Sequence, residues 1–228
     1  MTALRTAHAF LFDLDGTLVD TVGTRVEAWL ETFPLFGIEP ERAFLAPLMG
    51  SDGRLLARMV AEQAGVPLGP GVDVEIDRLA GERFGELNAH PRSLPAATEI
   101  LGHLDAAGLP WAIATSSRPD EALASLAALG LSRRPLVVDG GDVEHAKPAP
   151  DLLLKAAVKL GADPSVTWYV GDSRWDMLAA VAAGMVAIGV ATGATSAADL
   201  MASGAEVTYP TLRELLGEIS SSRPGLRD

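Results

Sequence analysis

The sequence predicts an α/β protein, in which a doubly wound parallel sheet forms the core and a small α-helical cap domain is inserted after the first strand. Short apolar runs alternate with amphipathic segments over most of the chain, and this alternation stops between residues 22 and 92. The length of 228 residues exceeds one typical domain of about 150 residues but does not reach two. We therefore expect a core of residues 1–20 and 93–228 and a cap of residues 21–92.

The first predicted strand covers residues 9–12 and is apolar on both of its alternating faces. This pattern is typical of a strand that helices cover on both sides. The segment 151–160 begins after Pro150 and is followed by Gly161, which is typical helix punctuation. Further apolar runs lie at residues 111–114, 136–138, 166–170 and 186–190. Strands and helices that alternate in this way predict a parallel sheet with helices on both faces.

The insertion is predicted to be helical because its apolar residues recur at helical spacing. Ser51 is a candidate cap for the second helix, and Gly65 a candidate terminator. Asp20 is expected to have a structural role, either at the backbone of the cap hinge or as the N-cap of the first helix. The three predicted helices cover residues 25–36, 52–64 and 74–88.

Charge and composition exclude several classes of protein. Eighteen basic and thirty acidic residues give a net charge of −12, which repels nucleic acid and anionic membranes. The absence of cysteine excludes a disulfide scaffold, a thiolate nucleophile and a cysteine zinc site. Asp13 interrupts the apolar run that begins at Ala7, and no window reaches about 18 apolar residues. We expect a soluble, cytoplasmic protein, a monomer or weak homodimer, without nucleic-acid or membrane partners.

Polar side chains follow four of the apolar runs at the point where each predicted strand ends. In an open parallel sheet, ligands bind outside the carboxyl ends of the strands, so these side chains are expected to converge. They are Asp13, Asp15, Thr17 and Asp20, then Thr115, Ser116, Ser117 and Arg118, then Asp139, Asp142 and Lys147, and finally Asp172, Ser173 and Asp176.

The carboxylates among them indicate a divalent cation site. Asp13, Asp15 and Asp172 offer the hard oxygen ligands that Mg²⁺ prefers together with water and a substrate phosphate. Asp13 and Asp15 stand two residues apart, and Gly16 permits a sharp turn after them. A carboxylate that is bound to the metal stays ionised and can attack as a nucleophile. Its unpaired neighbour beside a like charge can act as acid and base, so Asp13 is the candidate nucleophile and Asp15 the candidate acid/base.

Thr115 and Lys147 are the candidates for binding a phosphoryl group. Thr115, with the backbone N–H groups that follow it, supplies hydrogen-bond donors, and Lys147 supplies a positive charge. The chain has three lysines, and Lys155 and Lys159 fall inside a predicted helix. Lys147 is therefore the lysine that we expect to contact a ligand.

Together these motifs resemble those of the haloacid dehalogenase-like hydrolases, a superfamily dominated by Mg²⁺-dependent phosphatases that work through an aspartyl-phosphate. The resemblance covers nearly the whole chain and implies a Rossmann-like core. The helical insertion is similar to the cap of the branch that contains phosphoglycolate phosphatases and β-phosphoglucomutases. The motifs that carry the resemblance are residues 13–21, Thr115 at the end of an apolar run, residues 147–151 and residues 171–176.

The resemblance implies a role for each matching residue. Asp13 would attack phosphorus, and Asp15 would protonate the leaving oxygen and later activate water. Mg²⁺ would be bound by Asp13, Asp172 and the Asp15 carbonyl, with Asp176 in the outer shell orienting a metal-bound water or Lys147. The metal residues predicted on this basis are Asp13, Asp15, Asp172 and Asp176.

The phosphoryl group would be bound by Thr115 and Lys147, assisted by the Ser116 amide. Arg118 is expected either to touch the substrate or to pair with a surface acid. Specificity is expected to come from cap residues, among them Arg25, Met49, Ser51, Asp52 and Arg54. The predicted substrate-binding residues are Ser116, Arg118, Gly50, Ser51 and Arg54.

Two other reactions of this superfamily, dehalogenation and phosphonate hydrolysis, each depend on particular residues that can be checked in the sequence. True dehalogenases of this superfamily lack the second Asp of the first motif, whereas Asp15 is present here. Phosphonate hydrolases use a cap lysine, and residues 21–92 contain no lysine. A phosphate-binding module without activity would have little reason to retain all four carboxylates.

A sugar-phosphate mutase of the β-phosphoglucomutase type remains the alternative. Such an enzyme needs a basic group at the cap, for which Arg25 and Arg54 are available. The segment 49–52 resembles the hinge of phosphatases more than a mutase clamp. We predict a Mg²⁺-dependent phosphatase that acts on a small phosphorylated metabolite, whose identity the sequence does not specify.

Overall fold

The computed structural model of the chain describes residues 7–221; the remaining parts of the predicted core, residues 1–6 and 222–228, lie outside the described residues. The strands are β1 (Ala9–Phe12), β2 (Val19–Asp20), β3 (Arg92–Ser93), β4 (Trp111–Ala114), β5 (Val137–Val138), β6 (Thr167–Gly171), β7 (Val186–Val190) and β8 (Val207–Tyr209). The α-helices are α1 (Val22–Thr32), α2 (Arg42–Leu45), α3 (Gly53–Gln63), α4 (Val72–Leu87), α5 (Ala97–Ala106), α6 (Pro119–Ala128), α7 (Asp151–Leu160), α8 (Arg174–Ala182), α9 (Ala197–Ala202) and α10 (Leu212–Ser221).

In the described chain, six parallel strands form the main sheet in the order β5-β4-β1-β6-β7-β8. The predicted α/β fold is thereby confirmed. β1 lies between β4 and β6, with Leu11 in register with Ala112 on one side and Tyr169 on the other. The strand order reverses at β1, and such a reversal opens a crevice at the carboxyl ends of the strands.

Both faces of the sheet are buried, which explains the continuous apolar runs. Phe10 and Phe12 of β1 lie in a cluster on one face, whereas Leu11 lies in a second cluster on the other face. Side chains alternate along a strand, so a strand between two helical layers must be apolar at every position. The ends of β1, β4 and β6 are thus the place where polar residues can collect.

The segment between β2 and β3 contains α1 to α4 and has an apolar cluster that includes Val26, Phe33, Leu56 and Ile76. Trp175 of α8 joins this cluster from the sheet side of the molecule. β2 and β3 form a short antiparallel pair where the chain enters and leaves this segment. The boundaries of a separate cap at residues 21 and 92 stay a prediction.

The first predicted insertion helix is shorter than expected. α1 ends at Thr32, and a 3₁₀ turn follows over Phe33–Phe36. Pro34 has no N–H to donate to the carbonyl four residues earlier, and its ring restricts the residue before it. Gly37 then ends the turn with a φ of +70°.

One predicted helix cap is wrong, and one of the two roles expected of Asp20 is not observed. Asp52, not Ser51, caps α3: its carboxylate accepts a hydrogen bond from the Leu55 N–H at 3.0 Å, while the Ser51 hydroxyl donates to the Leu48 carbonyl. The N-cap position of α1 is occupied by Thr21 rather than by Asp20, which lies exposed in β2. Asp and Ser are about equally good caps, so composition alone does not separate neighbouring candidates.

β8 adds a sixth strand that the sequence analysis did not predict. Its three residues are too few to show a clear alternation of apolar and polar positions. Within residues 7–221, the helices are too short or too polar to cross a membrane.

Candidate active site

A cleft of about 420 Å³ opens at the carboxyl ends of β1, β4 and β6, beneath α1, α3 and α4. Asp176 does not line the cleft and lies behind it, fully buried. The cleft is otherwise lined by all of the predicted site residues, which are Asp13, Asp15, Gly50, Ser51, Arg54, Thr115, Ser116, Arg118, Lys147 and Asp172.

Lys147 is the centre of a buried hydrogen-bond network. Its side chain is 0% exposed, and its ammonium donates to Asp13 Oδ1 at 2.6 Å, to Asp176 Oδ1 at 2.7 Å and to Tyr169 Oη at 3.1 Å. The three N–H donors of a lysine are thus matched by three oxygens. Tyr169 was missed in the sequence because it lies within an apolar strand, where its hydroxyl gives no periodic signal.

Asp176 holds Lys147 in place through contacts on both of its own oxygens. Oδ1 accepts from Lys147 and from the Tyr169 hydroxyl at 2.9 Å. Oδ2 accepts from the backbone N–H of Ser173 at 3.0 Å and from its hydroxyl at 2.6 Å, which forms the capping box of α8. The start of α8 therefore fixes the carboxylate that orients the lysine.

Asp172 follows β6 and lies close to the backbone of two glycines. It is buried and accepts a hydrogen bond from the Thr17 hydroxyl at 2.8 Å. A Cβ at Gly16, where φ is +85°, would lie 2.5 Å from Asp172 Oδ2, and a Cβ at Gly193 would lie 1.7 Å from it. The turn after β1 and the loop after β7 thus leave space for this carboxylate.

Asp13, Asp172 and Asp176 form a buried acidic cluster, with one oxygen of each within 4.8 Å of the others. Burial raises the pKa of Asp13 to about 7, against the opposing charge of Lys147 and with a further increase from Asp176. Burial raises the pKa of Asp172 well above its usual range, and the charges of Asp176 and Asp13 raise it further. Three carboxylates around a single ammonium carry excess negative charge, so the cluster could bind a metal ion.

Asp15 is fixed by four side-chain donors. Its Oδ1 accepts from the hydroxyls of Thr21 at 2.7 Å and Ser125 at 3.4 Å. Its Oδ2 accepts from Arg25 at 3.2 Å and from the Ser117 hydroxyl. Thr21 and Arg25 belong to the entry of the insertion, whereas the two serines follow β4. Asp15 therefore contacts both the sheet side and the helical insertion.

Arg25 connects α1 to the residues that follow β4. Its guanidinium donates to Glu121 Oε2 at 2.6 Å and to the Ser117 hydroxyl at 2.7 Å. It also lies 3.5 Å from the centre of the Phe84 ring. Burial tends to lower the pKa of Arg25, but Glu121 and Asp15 outweigh it and raise the pKa. The arginine is thus a fixed cation in the wall of the cleft.

Arg118 pairs with acids, which is one of its two predicted roles. It donates to Asp77 Oδ2 at 2.8 Å and to the Asp77 carbonyl at 3.1 Å, and it lies 2.6 Å from Glu121 Oε1. Asp77 and Glu121 were missed in the sequence analysis. Each lies near the start of an amphipathic helix beside other acids, such as Asp73 and Asp120, and periodicity does not distinguish them.

The loop before α3 makes backbone contacts with the sheet side. The Gly50 carbonyl accepts a hydrogen bond from the Ser116 hydroxyl at 3.2 Å, and the Asp52 N–H donates to the Lys147 carbonyl at 2.8 Å. Arg54, which is partly exposed, donates to Asp52 Oδ2 at 3.2 Å and to the Glu144 carbonyl at 3.0 Å. These contacts place the loop directly over Lys147.

Thr115 lies at the end of β4, and its side chain is buried. Its hydroxyl accepts a hydrogen bond from the Ser117 N–H at 3.1 Å, which orders the turn that carries Ser116. The backbone N–H groups of this turn are at the same edge of the sheet as Asp13.

Comparison with known proteins finds hydrolases, and among them phosphatases, by both sequence and structure. A sequence model of the haloacid dehalogenase-like hydrolases matches residues 10–190. Hexitol phosphatase A of Escherichia coli (strain K12) is 34% identical over 182 residues, which cover 79% of this chain and 82% of that protein. Phosphoglycolate phosphatase of the same strain is 32% identical over 225 residues, which cover 90% and 89%.

The crystal structure of a hydrolase from Pseudomonas syringae superimposes with a TM-score of 0.89 at 32% identity and covers 93% of this chain and 98% of that one. The residues that the family model matches include every predicted member of the site.

Proposed function

We propose that this chain, which belongs to the haloacid dehalogenase-like hydrolase family and is a phosphatase, requires Mg²⁺ and hydrolyses the phosphomonoester of a small metabolite through an aspartyl-phosphate. The observation that carries the proposal is the buried pair of Asp13 and Lys147, 2.6 Å apart, beside the carboxylate of Asp172. The cleft of about 420 Å³ supports a small substrate.

The acidic cluster fits Mg²⁺ by the chemistry of its donors. Asp13 and Asp172 are buried carboxylates that lack enough nearby positive charge, and we propose that they bind the ion together with the Asp15 carbonyl. Asp176 would act through Lys147, since its oxygens already accept hydrogen bonds from Lys147, Tyr169 and Ser173. When bound, Mg²⁺ supplies positive charge to the transferring phosphoryl group.

In the first step, a carboxylate oxygen of Asp13 attacks phosphorus, and the bond between phosphorus and the leaving oxygen breaks. The leaving oxygen takes the proton of Asp15, so the product alcohol departs neutral at that oxygen. Lys147 offsets negative charge at Asp13 and at the phosphoryl group. Thr115 and the Ser116 N–H bind the phosphoryl oxygens. These groups form no covalent bond to the substrate and act by positioning it and by stabilising its negative charge.

In the second step, water attacks the phosphorus of the aspartyl-phosphate. Asp15 accepts a proton from that water, the bond between phosphorus and the Asp13 oxygen breaks, and inorganic phosphate leaves. Thr21, Arg25 and Ser117 donate to the two oxygens of Asp15 and fix its side chain in the cleft that Asp13 also lines, which supports this role.

The test is hydrolysis of an aryl phosphate and of a panel of phosphorylated metabolites, with Mg²⁺ and with EDTA. We expect release of inorganic phosphate with Mg²⁺ and little release with EDTA. No phosphate release from any substrate would contradict the phosphatase proposal. Faster conversion of a hexose 1-phosphate to the 6-phosphate than release of phosphate would instead establish the mutase alternative.

We also propose that the protein acts in the cytoplasm as a monomer or weak homodimer, with residues 21–92 as a cap domain over the cleft. The absence of cysteine is compatible with a reducing compartment. The apolar cluster that unites α1, α3 and α4 supports a cap with its own core.

A further inference from the structure

We infer that the leaving group of the substrate is a neutral, hydroxyl-rich alcohol rather than one that bears a carboxylate or a second phosphate. This inference rests on the proposed phosphatase function and specifies its substrate class. It comes from the charges in the wall of the cleft that α1, α3, α4 and the start of α6 form, where each arginine is already paired with an acid.

Arg25 is the most enclosed of these arginines. Its side chain is 15% exposed and lies between Glu121, at 2.6 Å, and Asp15, at 3.2 Å. The face of its guanidinium is covered by the Phe84 ring. An anionic substrate group would have to compete with these two carboxylates for a cation that is held on three sides.

Arg118 is paired twice. Asp77 of α4 and Glu121 of α6 both contact its guanidinium, at 2.8 and 2.6 Å. Glu121 thus lies between two arginines, and Asp77 contributes a further carboxylate. These ion pairs form one connected series of three acids and two bases, which supplies no net positive charge. Its members, in order of contact, are Asp15, Arg25, Glu121, Arg118 and Asp77.

Arg54 of α3, which also lines the cleft, is paired with Asp52 at 3.2 Å. Among the described residues that line the cleft, acids outnumber cations by seven to four. With a divalent ion bound and Asp15 protonated as the acid of the first step, these charges balance, and the substrate phosphate then makes the occupied cleft negative. An anionic leaving group would therefore find no uncompensated cation and would add to that negative charge. The acids are Asp13, Asp15, Asp52, Asp77, Glu121, Glu144 and Asp172, and the cations are Arg25, Arg54, Arg118 and Lys147.

Two glycines show that the connected ion pairs lie directly against the backbone of α3 and α4. A Cβ at Gly53 of α3 would lie 1.8 Å from Asp77 Oδ1. A Cβ at Gly81 of α4 would lie 2.0 Å from Arg118 Nη2 and 2.2 Å from Glu121 Oε1. The paired side chains therefore pack against helix backbone and form a fixed wall rather than a loose surface cluster.

Such a wall suits hydroxyl groups. A carboxylate offers about four acceptor positions and a guanidinium five donors, so paired Asp, Glu and Arg side chains retain capacity for neutral hydrogen-bonding groups. A substrate hydroxyl can donate to one member of a pair and accept from the other without bringing a charge. Trp29 and Met49 add apolar surface for the carbon chain of the alcohol.

The first experiment compares kcat/KM for three phosphomonoesters with Mg²⁺: glycerol 3-phosphate, whose leaving group is neutral, 2-phosphoglycolate, whose leaving group is anionic, and fructose 1,6-bisphosphate. An aryl phosphate serves as the reference for basal activity. We expect glycerol 3-phosphate to exceed both anionic substrates by about tenfold or more. Equal values or a preference for an anionic substrate, with the aryl phosphate still hydrolysed, would overturn the inference and leave the phosphatase function intact. Loss of hydrolysis on every substrate would overturn both.

The second experiment changes the wall. Asp77→Asn removes a charge with little change in shape and releases Arg118 from one of its acids. We expect the ratio of kcat/KM for 2-phosphoglycolate to that for glycerol 3-phosphate to rise by about fivefold. Asp73→Asn on the same helix is the matched control, because Asp73 pairs with Arg58 outside the cleft and should leave the ratio unchanged. An unchanged ratio in folded Asp77→Asn would overturn the inference.

Discussion

The two ends of the cleft are built in different ways. At the proposed phosphoryl end, Asp13, Lys147 and Asp172 are buried and come from loops at the carboxyl ends of the strands. At the proposed leaving-group end, Arg25 of α1 contacts Glu121 of α6, and Asp77 of α4 contacts Arg118, which directly precedes α6. Arg25, Asp77 and Arg118 remain partly exposed.

On the proposed function, the first end carries out the chemistry and the second selects the substrate. The proposed phosphoryl end has few members, and Lys147 is the cation that contacts both Asp13 and Asp176, so a change there removes charge compensation that no other described cation replaces by contact. The proposed leaving-group end distributes its charge over five residues that form linked ion pairs. When one of them is changed, its partner can still pair with another member of the series. We expect mutations at the first end, and at Asp15, to abolish activity, and mutations at the other four residues of the second end to alter substrate preference.

The largest expected effect is that of Asp13→Asn. An amide is a poor nucleophile, so hydrolysis of an aryl phosphate with Mg²⁺ should fall by about 10³-fold or more. Asp20→Asn is the control within the same motif, since Asp20 is exposed in β2, and it should retain the rate of the wild type. Substantial turnover by Asp13→Asn would exclude Asp13 as the nucleophile.

Lys147→Met should strongly reduce stability, because it leaves Asp13 and Asp176 buried without their shared cation. We expect the free energy of unfolding in urea at pH 7 to fall by about 3–5 kcal/mol. Lys155→Met, which removes a partly exposed pair with Asp142, should cost about 1 kcal/mol or less. Similar losses in the two variants would show that burial does not distinguish the two ion pairs.

The stability of the metal-free protein should fall as pH rises from about 4 to about 7. The pKa of Asp13 is raised from 3.8 to about 7, so over this window the folded state binds more protons than the unfolded state. The stabilising contribution is complete below the unfolded pKa and is lost as pH rises through the folded one. Asp172, whose pKa is also raised, acts in the same direction.

The measurement is urea unfolding in EDTA at pH 5, 6 and 7 for the wild type and Asp13→Asn. The variant should show a shallower decline, since one of the titrating carboxyls is gone. Parallel curves for the two proteins would contradict the assignment of this titration to Asp13.

The smallest effect concerns two glycines of α4. Gly85→Ala should raise the free energy of unfolding by about 0.5–1 kcal/mol, because a Cβ there meets nothing within 4 Å and alanine favours a helix. Gly81→Ala should raise the free energy of unfolding by less than Gly85→Ala does. It should also shift the preference among substrates, since its Cβ would displace Arg118 and Glu121. Equal gains in stability with unchanged substrate preference would show that the wall is not tightly packed.

Several features of the fold and site were predictable because they depend on local order in the chain. The apolar runs predicted the positions of β1, β4, β5, β6 and β7, each to within one residue at either end. Parallel strands direct their carboxyl ends to one edge, which is why Asp13, Thr115 and Asp172 line one cleft. Helix ends were less predictable, since Ser51 and Asp52 are both good caps and only the path of the chain selects one.

The α/β fold and the set of residues at the proposed phosphoryl end were predictable without a structure, because hydrophobic periodicity and strand-end position are properties of short segments. The packing of the elements was needed to show that Tyr169 supports Lys147 and that Asp77 meets Arg118. Lys147 and Tyr169 are 22 residues apart in the sequence, and Arg118 and Asp77 are 41 residues apart. Periodicity shows that a helix has a polar face, but the packing of one helix on another determines which acid meets which arginine.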